Sequence, residues 1–310
     1  MAVYGPGTPY ITPDLLLNAP TGITWKTIPN SRSTAQEQTA EQVNICARAT
    51  SMIDTACNQV MRATVDIEVV YGPDFYVTVQ PWNGTARVVL QRWPVIQVLG
   101  GKVSNAASFP PQWTVIDASK FAVERPIIGL FGTSAPSDAG EGGQAVLVAP
   151  GVMTWGFGRR GTALQVQYVN GWPHASLTAP ANAGDAVISV DDTTGWAPQT
   201  PGGQGATGVI KDSDNQEAIT VTGASTPAGP GVLTLSAPLG FGHGARVLVT
   251  TLPEQIQQAA ILFACAQALT RGATATTIQA MGGTGQATAA GADQMAVQAE
   301  LLCLPYKRMF

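Results

Sequence analysis

Gly203-Gln204-Gly205-Ala206-Thr207-Gly208 has the spacing G-x-G-x-x-G. Between a strand and a helix, such glycines let a pyrophosphate approach a helix N-terminus. Here Pro198 and Pro201 precede the run and a short polar segment follows, so the run reads as a loop. Asp212-Ser213-Asp214-Asn215-Gln216-Glu217 gathers oxygen ligands as a calcium loop would. An EF-hand needs glycine at the sixth place and a bidentate Glu at the twelfth. Glu217 holds the sixth, and a solvated β-turn is the better reading. His174 and His243 are the only histidines, so a Ser-His-Asp triad would have to use one of them. One follows Gly171-Trp172-Pro173 and the other lies in Gly240-Phe241-Gly242-His243-Gly244; both read as turn residues. The carboxylates are scattered singly, with no apolar pocket pattern to separate an acid from a base.

The four cysteines are Cys46, Cys57, Cys265 and Cys303, each in a segment of helical periodicity. Cys46 and Cys57 are roughly 16 Å apart along one helix, too far for a bridge. Without a C-x-x-C or a nearby histidine there is no zinc pattern. Buried thiols in a reducing compartment are the expectation. No catalytic residue, metal or cofactor is assigned, and the chain reads as a protein that is not an enzyme.

The elements that must position these residues alternate between two periods. Prolines at 6, 9, 13, 20 and 29 make residues 1–32 an N-terminal arm, with one short helix from Thr12-Pro13-Asp14 through Leu17. Ser33…Gln36 and Thr34…Glu37 are overlapping capping boxes that open a long helix. Its apolar stripe is Val43, Cys46, Ala47, Thr50, Ile53, Cys57, Val60 and Met61. From Val65 the period changes to two. Short strands are expected at 65–69, 75–79, 87–90, 95–98, 121–123, 127–131, 145–148 and 163–169, with an Asn83-Gly84 hairpin signal and an exposed loop at 132–143. Residues 176–251, rich in Thr, Gly, Pro and Ala, read as an inserted small β domain with strands at 186–190, 218–221, 232–235 and 245–249. Helix returns at Leu252-Pro253-Glu254. From Ile256 to Leu269 it is apolar on almost every side, so it is buried inside a domain or between subunits. A Gly/Thr-rich loop at 273–291 precedes a last helix over 292–304, which stops at Pro305. The tail Tyr306-Lys307-Arg308-Met309-Phe310 is either a frayed end or a docking peptide.

The chain has 310 residues, 16 basic and 20 acidic, and only 12% are charged. That is about half the usual share. With 45% hydrophobic residues and a mean hydropathy of +0.12 there is ample core. A surface so poor in charge points to burial against other subunits, or to an extracellular β-protein. Slight acidity and only 16 basic residues argue against a protein that grips nucleic acid. The N-terminus lacks the pattern of a signal peptide, and the longest apolar run, 259–266, is too short to span a bilayer.

A succession of segments resembles the head-to-tail adaptor (connector) proteins of long-tailed phages. The segments are Tyr10-Ile11-Thr12-Pro13-Asp14-Leu15-Leu16, Ala49-Thr50-Ser51-Met52-Ile53-Asp54, Arg92-Trp93-Pro94-Val95-Ile96-Gln97-Val98 and Val166-Gln167-Tyr168-Val169-Asn170-Gly171-Trp172-Pro173. Leu252-Pro253-Glu254-Gln255-Ile256-Gln257-Gln258-Ala259-Ala260 and Leu301-Leu302-Cys303-Leu304-Pro305-Tyr306-Lys307-Arg308 complete it. Order and spacing fit over 10–175 and 252–310; the insert at 176–251 is the departure. The resemblance implies an α+β fold, a helical adaptor core with a β-sheet subdomain and an inserted small all-β domain. The core would comprise 33–175 and 252–310.

It also implies a structural virion protein at the head-tail junction, assembled in the host cytoplasm. Its subunits would form a homo-oligomeric ring of roughly twelve under the portal protein. The ring would meet a tail-terminator or head-closure protein and pass genomic DNA through its lumen without sequence-specific binding; no membrane is involved. By the same analogy Ile256, Ala260 and Phe263 belong to the ring interface, and Pro305, Tyr306, Lys307, Arg308, Met309 and Phe310 dock on the portal. Thr284, Gly285 and Gln286 would face the channel in a loop free of basic residues. The alternative is a virion-surface or tail β-module binding a host or carbohydrate ligand. The insert favours it, but Trp172 and Trp196 are the only tryptophans near the insert, too few for a sugar-stacking surface.

Overall fold

Runs rich in Val, Ile, Thr and Tyr at period two form strands over most of the chain, and helices are confined to four places. The computed structural model describes residues 7–23, 25, 28, 33–72, 77–79, 86–105, 112–123, 144–148, 162–197, 205–270 and 289–308. Tertiary contacts separate two units, one of residues 1–2, 62–172 and 308–310, the other of residues 3–61 and 173–307.

In the first unit, β1 (Thr64–Gly72), β4 (Val95–Asn105), β5 (Gln112–Ile116) and β8 (Thr162–Asn170) make an antiparallel sheet in the order β1-β8-β4-β5. A second sheet, β2-β3-β7-β6, contains β2 (Val77–Val79), β3 (Ala86–Leu90), β6 (Phe121–Val123) and β7 (Gln144–Val148). Val70, Leu164, Val166 and Tyr168 from one sheet and Val88, Leu90 and Val148 from the other share a single core. β4 runs well beyond the expected 95–98 because Gly100 and Gly101 carry it through a bulge. Gly100 has φ +144°, and a Cβ on Gly101 would lie 2.7 Å from the Gln165 carbonyl and 2.8 Å from the Phe121 ring. Only glycine fits at such positions.

The second unit begins with segments expected to be a loose arm. Tyr10, Ile11, Leu16, Trp25 and Ile28 are buried instead. Thr12 caps α1 (Pro13–Asn18) through its side-chain oxygen, with Pro13 in the first turn. The Tyr10 hydroxyl donates to Asp54 Oδ1 at 2.5 Å and accepts from the Met61 amide at 3.0 Å. α2 (Ala35–Ala56) uses the second of the two capping boxes, Thr34 with Glu37. It stops where Asn58 takes φ +52°, a conformation that asparagine tolerates at helix ends. Its buried face is Gln42, Ile45, Cys46, Ala49 and Ile53. Val43 is exposed, so in the first turns the buried stripe lies one position before the expected one.

Six strands follow: β9 (His174–Ser176), β10 (Val187–Val190), β11 (Thr207–Lys211), β12 (Gln216–Ala224), β13 (Gly231–Leu235) and β14 (Leu248–Thr250), in the order β10-β13-β12-β11-β14-β9. Trp196, Ile210, Val221, Leu233 and Val249 are in its core. α3 (Glu254–Thr270) and α4 (Ala289–Cys303) complete the unit, α3 packing on both α2 and α4. No helix among the described residues is long and apolar enough to cross a membrane.

The expected class, α+β with a helical adaptor core, is therefore wrong. Fourteen strands stand against four α-helices among the described residues. Residues 62–172 are not a subdomain on a helical body, because two sheets enclose their own apolar core. The strands of the expected insert are not a small appendage either. β10 to β14 all lie within 176–251, and with β9 they make a six-stranded sheet with a core of its own. Long capped helices carry a conspicuous periodic signal in a sequence, whereas three- to five-residue strands do not.

Candidate interaction surfaces

The residues first weighed for catalysis serve structure. Gly208 of the G-x-G-x-x-G run lies in β11, where a Cβ would meet the Thr250 carbonyl and the Trp196 ring, each at 2.8 Å. This glycine admits an indole, not a phosphate. His174 is buried in β9 rather than turned to solvent. Its Nε2 lies 2.9 Å from the Pro9 carbonyl, which can only accept, so Nε2 carries a proton there. Nδ1 lies 2.9 Å from the Thr250 hydroxyl, and the ring also meets Tyr10 edge-on. The histidine bolts the N-terminal segment to the six-stranded sheet.

His243 is also buried. Asp212 Oδ2 lies 3.3 Å from Nδ1 and Glu217 Oε2 lies 3.4 Å from Nε2. Glu217 further accepts the Gly240 amide at 2.6 Å and the Phe241 amide at 3.3 Å. Burial raises both carboxyls. For Asp212 the His243 contact and the Ser213 and Asp214 amides outweigh it, and for Glu217 the Gly240 amide, His243 and the Phe241 amide do so; each carboxyl ends below its ordinary value. Asp212 and Glu217 belong to the run weighed for calcium, but His243 lies 31 and 26 positions from them, so no local pattern joins the three. It clamps one turn onto a hairpin. No group of three metal-binding side chains occurs among the described residues. All four thiols are free and buried, and burial pushes Cys46 and Cys265 up to about 12.

Ile256, Ala260 and Phe263 are buried by the second unit itself. Pro305 and Tyr306 lie in a 3-10 turn after α4, and the Tyr306 hydroxyl donates to Gln255 Oε1 at 2.6 Å while its carbonyl accepts from Gln59 at 3.1 Å. Lys307 is exposed. Arg308 belongs to the first unit and donates to Gln91. Met309, Phe310, Thr284, Gly285 and Gln286 lie outside the described residues.

The feature that sequence reasoning missed is the outer face of the β1-β8-β4-β5 sheet. An alternating run such as Val65-Asp66-Ile67-Glu68-Val69 normally buries its apolar set and wets its acids. Here the acids point inward. Asp66 accepts from Asn170 at 2.7 Å, from Thr64 at 3.0 Å and from Arg92 at 3.0 Å. Glu68 accepts from the Tyr168 hydroxyl at 2.8 Å and from the Gln91 amide at 3.0 Å. Burial pushes the Glu68 carboxyl up, against the pull of Tyr168, Gln91, Arg308 and Arg92.

The apolar set is consequently outside. Register places Tyr71, Ala163, Ser104 and Trp113 in one row across the four strands, and Val69, Gln165, Lys102 and Val115 in the next. Ile67 and Gln167 continue the face beside Leu99. Val115 is 73% exposed, Tyr71 61% and Ile67 60%. A groove of about 390 Å³ crosses this face, lined by Ile67, Leu99, Lys102, Val115, Gln165 and Gln167 among others. In the second unit, Val297 and Leu301 on α4 and Leu304 in the turn after it form a stripe at spacings of four and three, each more than half exposed. On the sheet the exposed apolar side chains flank buried Ala163 and Ser104 and polar Gln165, Gln167 and Lys102, and exposed apolar residues rimmed by polar ones mark interaction sites.

Trp196 is fully buried and Trp172 packs edge-on against Trp93 at 5.7 Å, so neither offers a sugar-stacking plane. Comparison of the chain with protein-family models, with curated proteins and with solved structures found no match in any of the three.

Proposed function

We propose that this chain is a ring-forming structural subunit of a tailed-phage neck, a head-to-tail adaptor that joins the portal to the next neck or tail protein. The single observation that carries the assembly part of this reading is the inverted sheet of the first unit. Asp66 is buried and Glu68 half-buried, each with partners, while Ile67, Val69, Tyr71, Trp113 and Val115 face outward. A face built that way gains about 25 cal/mol for each Å² of apolar surface it covers, which favours a protein partner. The low share of charged residues, 12%, supports the same conclusion, because little self-repulsion opposes assembly. The placement in a phage neck is supported by the succession of segments from Tyr10 to Arg308. The helical ring body that this succession implied is not retained; the sheet face takes its place.

In this reading the virion is the protein's location and DNA passes through the lumen of its ring. The resemblance assigns the uncharged stretch at 273–291, with Thr284, Gly285 and Gln286, to the channel, and its composition suits that role because a basic residue there would add sequence-independent grip on DNA. The C-terminal residues 305–310 contribute to portal contact, with Tyr306 and Arg308 already engaged inside the chain. Negative-stain electron microscopy of the purified chain, alone and mixed with the portal of the same phage, tests the proposal. Closed rings with a central channel support it; compact monomers that ignore the portal contradict it.

A further inference from the structure

Resting on the ring-forming reading, we infer that the α4 stripe of one subunit lies in the sheet groove of the next subunit, and that this contact closes the ring. The two surfaces are different in kind. One is a ridge of Val297, Leu301 and Leu304; the other is a shallow trough between Ile67, Leu99 and Val115. A contact between unlike patches of identical chains is heterologous: repeated, it closes into a ring where the rotation between neighbours closes, and otherwise winds into a filament. A self-complementary patch would stop at a dimer.

Size and charge select a second copy as the occupant. The ridge from Val297 to Leu304 spans about 10 Å at 1.5 Å per residue. Four strands about 4.8 Å apart offer a trough roughly 14 Å wide, so the ridge fits across it. The trough contains one cation, Lys102, and the ridge contains Glu300 between Val297 and Leu301. Neither makes an ion pair among the described residues. The trough also carries the acid Asp117, and exposed Lys307 follows the ridge at its end. Each surface thus presents both signs, Lys102 and Asp117 in the trough and Asp293, Glu300 and Lys307 along the ridge and at its ends. A basic nucleic acid-binding groove or an acidic peptide site would carry a single sign.

Charge reversal tests the pairing. Lys102→Glu and Glu300→Lys, each alone, should raise the subunit dissociation constant at least about tenfold, and the double variant should recover most of that loss. Leu301→Asp and Val115→Asp change residues that are exposed within the chain, so the melting temperature should hold while ring formation weakens about a hundredfold. Mass measurement of the assemblies on and off the portal reads the outcome. Rings that survive Leu301→Asp and Val115→Asp overturn the contact and leave the adaptor reading standing. Rings that persist while Val115→Asp loses only portal binding also overturn it, giving the groove to the portal. Wild-type chain that forms no ring overturns the adaptor reading itself, and the contact with it.

Discussion

Replacing Tyr10 by Phe removes one hydroxyl from a fully buried side chain and leaves its ring in place. That hydroxyl donates to Asp54 Oδ1 at 2.5 Å and accepts from the Met61 amide at 3.0 Å. A hydrogen bond to a charged acceptor contributes about 1.5–3 kcal/mol net. The Met61 amide keeps a second acceptor, Asp54 Oδ1 at 3.2 Å, so no backbone donor is orphaned. The loss should therefore fall at the lower end, about 1–2 kcal/mol. Tyr10→Ala adds a cavity beside His174 and should cost about 3–5 kcal/mol, as truncation of a buried aromatic does. Urea titration followed by tryptophan fluorescence and by circular dichroism reads both variants, with the midpoint shift at constant slope as the measure. If both variants stay within about 0.5 kcal/mol of wild type, as surface changes do, the docked N-terminal segment is refuted and residues 1–32 are an arm after all.

Acidification should release the clamp around His243. The Asp212 and Glu217 carboxyls both sit below their ordinary values, so their contribution is complete above the unfolded values and is lost as pH falls through the folded ones, below about pH 4. Asp212→Asn should flatten that part of the acid profile in a melting series from pH 6 to pH 3; an unchanged profile contradicts the clamp. Gly208→Ala places a methyl 2.8 Å from the Thr250 carbonyl and the Trp196 ring, and should cost about 1–3 kcal/mol by thermal melting, with no loss if the strand can shift. Removing 305–310 deletes the Tyr306 contacts to Gln255 and Gln59 and the Arg308 contact to Gln91, so the melting temperature should fall by a few degrees. An unchanged melting temperature means the tail is peripheral to the fold.

Much of the local structure was legible because its signals are chemical. Thr12-Pro13 and Thr34…Glu37 announce helix starts through the donors they satisfy, and both helices begin there. Strands at 187–190, 231–235 and 144–148 fall within a residue or two of their alternating runs. What failed was whatever depends on distant partners. His174 reads as a turn residue until Pro9 and Thr250 come to its two ring nitrogens from 165 and 76 positions away. Prolines in 1–32 suggested an arm, but proline excludes regular structure, not burial, and Tyr10, Ile11 and Leu16 are core. The inverted face was invisible because alternation gives a period and no direction. Which set points inward was decided by Arg92, Asn170, Tyr168 and Gln91 meeting the acids, contacts no local window contains.

Native mass spectrometry of the wild-type chain mixed with its portal tests the central claim most directly, because it counts subunits. A single complex holding one fixed number of chains per portal, roughly twelve by the resemblance, and dispersed by Leu301→Asp, is the predicted result. A spectrum in which portal and chain remain separate, with the chain monomeric at every concentration, contradicts it.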